Sequence, residues 1–207
     1  MNKTLIFDFD GTIADTLPFA VNFAYEFNRK YKLVNDNKID MEKFRSMSSE
    51  DFLKYYKIPK LKFVFFLYSF QKEFNRNIEK INTFKGLPEV LLELKTKGVK
   101  MGIVTSNPKS NVLKFLKHTN LEYFDFIFSS IHYFHKYRIL DMVERKFNLK
   151  EENIIYIGDE VRDIKAARLS GEKIASVTWG YNIESILRQN NPDYVLYQPK
   201  DLLKLVG

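Results

Sequence analysis

From Gly86 onward the chain alternates short β-rich apolar runs with segments of helical period, and that rhythm restricts the fold more than any other feature of the sequence. Pro88 to Lys97 has a helical pattern stopped by Gly98, Val99 to Thr105 reads as a strand, Ser110 to His118 as a helix and Tyr123 to Phe128 as a strand. Arg138 to Phe147 sets apolar residues at 139, 140, 142, 143 and 147 on one helix face. Ile154 to Ile157 follows as a strand, and Val161 to Leu169 as a helix ended by Ser170-Gly171. Ile174 to Val177 and Asp193 to Tyr197 supply two more strands, with Ile183 to Arg188 helical between them. Such alternation predicts an α/β fold: a doubly wound parallel sheet with helices on both faces.

The first part of the chain has a different grain. Thr4 to Phe9 is an apolar run that ends in the turn signal Asp10-Gly11-Thr12, so it reads as a buried strand followed by a loop. Leu17, Ala20, Val21, Ala24, Phe27 and Tyr31 then repeat near the helical period, Asp40 and Ser48 are suited to capping two further helices, and helix is expected to about Lys80. At 207 residues and 45% apolar, the chain can bury one substantial core and carry a small second lobe.

Several function classes drop out on composition. The longest apolar stretch, Phe63 to Tyr68, is far short of the roughly 20 residues that cross a bilayer, so no membrane span is expected. Met1-Asn2-Lys3-Thr4 leads into the first strand without the apolar stretch of a secretory signal, which points to the cytoplasm. With no cysteine, disulfides and thiolate zinc sites are excluded. The net charge of +7 falls mostly between Thr16 and Lys85, where 14 Lys and Arg face 8 Asp and Glu. Those basic residues are mainly scattered lysines, which reads as a solvated surface that can draw in anionic substrates; no nucleic-acid partner is expected. His132 and His135 sit three apart with neither cysteine nor a third histidine beside them, and read as structural.

In an open parallel sheet, ligands bind beyond the carboxyl ends of the strands. The residues delivered there are Asp8 and Asp10, Thr105 and Ser106, Lys136, and Gly158 with Asp159. Three converging carboxylates, Asp8, Asp10 and Asp159, would repel one another unless a cation stood among them, and an all-oxygen donor set selects Mg²⁺. Thr105 and Lys136 would then hold phosphoryl oxygens, with Ser106 adding its backbone N–H; Lys109, Lys114 and Lys117 are the alternatives to Lys136. An aspartate facing phosphorus can attack it to form an acyl-phosphate, and Asp10, two residues on, is suited to general acid and base work. Gly11 permits the tight turn that would bring backbone N–H groups near the phosphate in a nest-like arrangement.

Asp8-Phe9-Asp10-Gly11-Thr12-Ile13-Ala14-Asp15-Thr16 resembles the signature of the haloacid dehalogenase-like hydrolase superfamily. Ile103-Val104-Thr105-Ser106 resembles its second motif, Lys136 its third and Gly158-Asp159-Glu160-Val161-Arg162-Asp163 its fourth. Tyr123-Phe124-Asp125 and Val177-Thr178-Trp179-Gly180-Tyr181 resemble members of the phosphoglycolate phosphatase type. The resemblance implies a Rossmann-like core from 1–14 and 86–207, an inserted all-helical cap from 15–85, and an Mg²⁺-dependent phosphatase of small phosphate esters, monomeric or homodimeric. It implies Asp8 as nucleophile, Asp10 as acid and base, Thr105 and Lys136 as phosphate holders, Asp159 as the carboxylate completing the metal site and Asp163 as its outer partner. The third motif departs from the usual Lys-Pro, reading His135-Lys136-Tyr137-Arg138. In the cap, Arg45 is a candidate for a substrate carboxylate, and the aromatic run Phe63 to Phe74 reads as the buried side of cap helices. Two alternatives stand beside the phosphatase: a sugar-phosphate mutase, which often carries a histidine where this chain has Thr16 to Ala20, and a non-catalytic protein binding an anionic partner.

Overall fold

The computed structural model describes residues 3–34, 40–129 and 136–207. His132 and His135 lie outside the described residues. Strand β1 (Thr4–Phe7) is followed by helices α1 (Leu17–Tyr31), α2 (Met41–Arg45), α3 (Ser49–Tyr55) and α4 (Lys60–Asn77), the last continued by a 3₁₀ turn at Ile78–Lys80. Then come α5 (Leu87–Thr96), β2 (Lys100–Thr105), α6 (Lys109–His118), β3 (Phe126–Ser129), α7 (Tyr137–Phe147), β4 (Ile154–Gly158), α8 (Val161–Ser170), β5 (Lys173–Val177), α9 (Glu184–Gln189) and β6 (Tyr194–Leu196). The six strands form one sheet in the order β3-β2-β1-β4-β5-β6, with every pair parallel.

Side chains on a strand alternate between faces, and the two cores follow that alternation residue by residue. Leu5, Phe7, Met101, Ile103, Ile155 and Ile157 pack on one face under α5 and α6. Ile6, Val104, Ile154, Tyr156 and Ile174 pack on the other under α7, α8 and α9. With both faces covered, the central strands can be apolar throughout, and all four residues of β1 are buried.

The outer strands are shorter than the apolar pattern suggests. β3 begins at Phe126 because Asp125 ends its lead-in: its backbone N–H donates to the Met101 carbonyl at 2.7 Å and its carboxylate accepts the Met101 N–H at 2.8 Å. Asp193 does the same work before β6, accepting the Ile174 N–H at 2.9 Å. At the far end of β6, one oxygen of Asp201 accepts the N–H groups of both Tyr197 (3.0 Å) and Gln198 (3.2 Å), turning the chain into a 3₁₀ helix at Pro199–Leu205 whose Leu202 and Leu205 enter the core.

Helices α1 to α4 gather around a third apolar cluster that includes Phe27, Leu33, Val34, Phe52 and Ile58. Asp40 and Ser48 cap α2 and α3 by accepting the N–H groups of Lys43 (3.0 Å) and Asp51 (3.1 Å). On α4 the aromatic run splits by face: Phe74 is fully buried, Phe63 and Phe66 pack on the cluster, and Val64, Phe65 and Tyr68 are exposed.

Candidate active site

The carboxyl ends of β1 and β4 bring Asp8 and Asp159 together, and the start of α8 adds Asp163. One oxygen from each lies within 4.8 Å of the others, and all three residues are buried. The Asp8 N–H bonds the Ile157 carbonyl at 2.8 Å, carrying the β1–β4 pairing into the site. Lys136, itself only 5% exposed at the head of α7, reaches Asp8 at 2.8 Å and Asp163 at 2.7 Å, and Arg162 approaches Asp8 at 3.5 Å.

These surroundings divide the three acids. Burial raises the Asp8 carboxyl, opposed by Lys136, helped by Asp163 and opposed again by Arg162, with a net upward shift. Burial drives Asp159 well above the ordinary carboxylate range, with Glu160, Asp163 and Asp8 adding to the effect. Asp163 is buried as well, but Lys136 and Arg162 more than offset that and hold it below its ordinary value. Asp163 also accepts the Glu160 N–H at 3.1 Å, as the second half of the capping box that starts α8. The cluster is an all-oxygen set in which burial first of all holds back the ionisation of Asp8 and Asp159, and it fits a hard divalent cation.

Asp159 is fixed by Thr12 Oγ1 donating at 2.8 Å and the Tyr181 N–H at 2.7 Å. Two glycines make room for it. A Cβ on Gly11, whose φ is +77°, would stand 2.2 Å from Asp159 Oδ2, and one on Gly180 would stand 2.3 Å from the same atom.

Asp10 takes a different direction. Its carboxylate accepts from the Asn107 amide at 3.0 and 3.2 Å, and Asn111 donates in turn to Asn107 at 2.9 Å. It is Asp163, not Asp10, that shares the tight cluster with Asp8 and Asp159. What Asp10 faces is a cavity, not bulk water; burial first and the Asp8 charge second push it up to about 6, against the Asn107 hydrogen bond, Arg162 and Thr16. Thr105, at the end of β2, accepts the Asn107 N–H at 3.0 Å, which leaves its hydroxyl proton to donate. The Ser106 hydroxyl stands 3.4 Å from Arg162, and its carbonyl accepts from Gln71 on α4.

Asn107 and Arg162 are site residues that sequence reasoning missed. Asn107 reads as half of an Asn-Pro turn, and Arg162 lies inside the fourth motif with no role attached; only the adjacency of each to a named motif residue was a signal. Arg45 is a correction. Its guanidinium donates to the carbonyls of Tyr181 (3.0 Å) and Gly180 (3.2 Å), so the charge offered as a candidate for a substrate carboxylate instead ties α2 to the loop after β5. Asn182 returns the contact, donating to the carbonyls of Arg45 and Met47 at 3.1 Å, and Ser49 bonds Glu160 at 2.8 Å. Lys114 is engaged elsewhere, with the Asn75 carbonyl. Between the helical lobe and the sheet lies a cavity of about 130 Å³ reached by Asp10, Ser106, Asn107 and Arg162 from the sheet side.

The sequence pattern of haloacid dehalogenase-like hydrolases matches residues 5–177. The chain belongs to this family. As a haloacid dehalogenase-like hydrolase it is 28% identical over 205 residues to the phosphoglycolate phosphatase of Synechococcus elongatus, covering 99% of this chain and 97% of that one. It is 27% identical over 211 residues to the pyrophosphatase PpaX of Bacillus cereus, covering 99% and 96%. Its fold matches the crystal structure of a predicted phosphatase from Clostridium acetobutylicum with a TM-score of 0.82 and 20% identity, over 99% of this chain and 97% of that one.

Proposed function

We propose that this haloacid dehalogenase-like hydrolase is a phosphatase of small phosphate monoesters that forms an aspartyl-phosphate on Asp8. The observation that carries the reading is the state of Asp8: a buried carboxylate at a strand end, 2.8 Å from Lys136, beside two further acids. A binding module has no need of a nucleophile so placed.

Asp8 attacks phosphorus, and the bond from phosphorus to the ester oxygen breaks. Asp10, raised to about 6 and so able to hold a proton near neutrality, donates that proton to the departing oxygen. Now a carboxylate, Asp10 takes a proton from water as that water attacks the acyl-phosphate, which releases phosphate and regenerates Asp8. Thr105, the Ser106 N–H and Lys136 hold the phosphoryl oxygens, with Asp163 keeping Lys136 aligned at 2.7 Å. Asp8 and Asp159 would hold Mg²⁺, with Asp163 at its margin; when bound, the cation supplies positive charge to the phosphoryl group. Asp10, with its carboxylate on Asn107, is left for proton transfer. Residues 15–85 act as a cap that excludes bulk water during the reaction. The names of the relatives favour hydrolysis over the mutase alternative, and Thr16 to Ala20 contains no histidine.

The test is rapid acid quenching with a ³²P-labelled ester. The wild-type protein with Mg²⁺ should trap label on Asp8, and Asp8→Asn should lose both the label and turnover, the latter by about a thousandfold or more. Turnover that survives in Asp8→Asn would overturn the assignment.

A further inference from the structure

The cavity over the site has two unlike ends. From the sheet come Asp10, Ser106, Asn107 and Arg162; from the helical lobe come Val21, Leu33, Phe52, Ile58, Phe63 and Phe66, with no charged side chain among the residues that lobe contributes. Arg162 is the one cation in the lining among the described residues, and it lies 2.6 Å from Glu160 and 3.5 Å from Asp8. Arg45, the lobe's best prospect for an anion, is tied to Gly180 and Tyr181. A carboxylate on the substrate, in addition to its phosphate, would therefore enter an apolar chamber with Glu160 in its lining and lose its hydration without a dedicated partner.

We infer that the alcohol released by this enzyme is apolar: the substrate is a phosphate monoester of an aryl or branched alkyl alcohol with about six or seven carbons. The inference rests on the phosphatase reading and names the substrate class of that same site. The size follows from volume. An apolar cavity of about 150 Å³ lined by Leu, Ile and Phe stays dry and admits benzene, and the volume here is about 130 Å³. The phosphate stays with Lys136 and Thr105, and the alcohol's carbon skeleton points between α1 and α4.

Benzyl phosphate and methyl phosphate test this well, because the two alcohols leave with similar basicity and differ mainly in apolar bulk. Each buried methylene is worth about fourfold in binding, so kcat/KM for the benzyl ester should exceed that for methyl phosphate by about a hundredfold or more, and that for phosphoglycolate by a similar factor. Calorimetry on the cation-free protein adds a readout independent of turnover: benzylphosphonate should bind with a negative heat-capacity change that methylphosphonate lacks. Ala24→Trp, which fills the chamber, should collapse the benzyl-to-methyl ratio; if that variant does not fold, the wild-type comparison still decides. Equal rates on both esters, or a preference for phosphoglycolate, would overturn the inference and leave the phosphatase standing. No hydrolysis of any ester with any divalent cation would instead remove the phosphatase reading, and this inference with it.

Discussion

At the scale of single residues, the site is a balance of buried charges in which no member can be removed cheaply. Lys136 reaches Asp8 and Asp163 at 2.8 and 2.7 Å, and deleting it would leave two buried carboxylates with only the more distant Arg162 as a nearby cation. Lys136→Met should therefore lower unfolding stability by about 3–5 kcal/mol in urea denaturation without added cation. In the proposed reaction Asp10 carries the pH dependence. With its carboxyl raised to about 6, the proton it must donate is fully present below that value and falls about tenfold for each pH unit above it. Turnover of an alkyl ester should decline accordingly on the basic side, while an aryl ester with an acidic leaving group should decline less. Asn107 holds this value down, so Asn107→Leu should move the basic limb to higher pH in a kcat–pH profile. Asp8, Asp10, Thr105 and Asp159 stood out in the sequence because each lies at the end of a predicted strand or in the loop just after it, and Asp163 through the resemblance of its motif. Asn107, Arg162 and Tyr181 were not, since their roles depend on which side chains cross from other strands and loops.

At the scale of elements, specific hydrogen bonds join the α2–α3 end of the lobe to the loops beyond β4 and β5. Arg45 grips two main-chain carbonyls, Asn182 grips two in return, and Ser49 meets Glu160. A hydrogen bond from a charged donor contributes about 1.5 kcal/mol at the lower end of its range, so Arg45→Ala should speed amide exchange across residues 41–55 about tenfold and leave β1, β2 and β4 unchanged. Hydrogen-exchange mass spectrometry reads both regions. Element types were legible here because periodicity is a local property: Phe63 to Phe74 lies on a helix as expected, but Phe65 and Tyr68, read as part of its buried side, are exposed. Where β3 and β6 begin was not legible. Apolar character runs through Tyr123 and Phe124, yet the strand starts only after Asp125, whose carboxylate serves the neighbouring strand β2, a contact that local periodicity does not reveal. The same holds for Arg45, whose partners lie 135 and 136 positions away.

At the scale of the whole molecule, two apolar layers cover the sheet, while the buried acidic cluster at its rim is a cost to stability that a bound cation would relieve. Mg²⁺ at a hundred times its dissociation constant should add about 2.7 kcal/mol, seen as a rise in Tm of roughly 5–10 °C for a chain of this length. Asp159→Asn should abolish that rise, and calorimetric scans with and without the ion check it. The parallel sheet was readable from the alternation after Gly86, and all six strands pair in parallel as that alternation entails. The way Asp201 closes the chain beyond β6 has one more effect. By occupying the N–H groups of Tyr197 and Gln198 with a single side chain, it cuts the outer border of the sheet to three residues, too short a template for another copy to dock as an added strand, so growth into fibrils is blocked at that side.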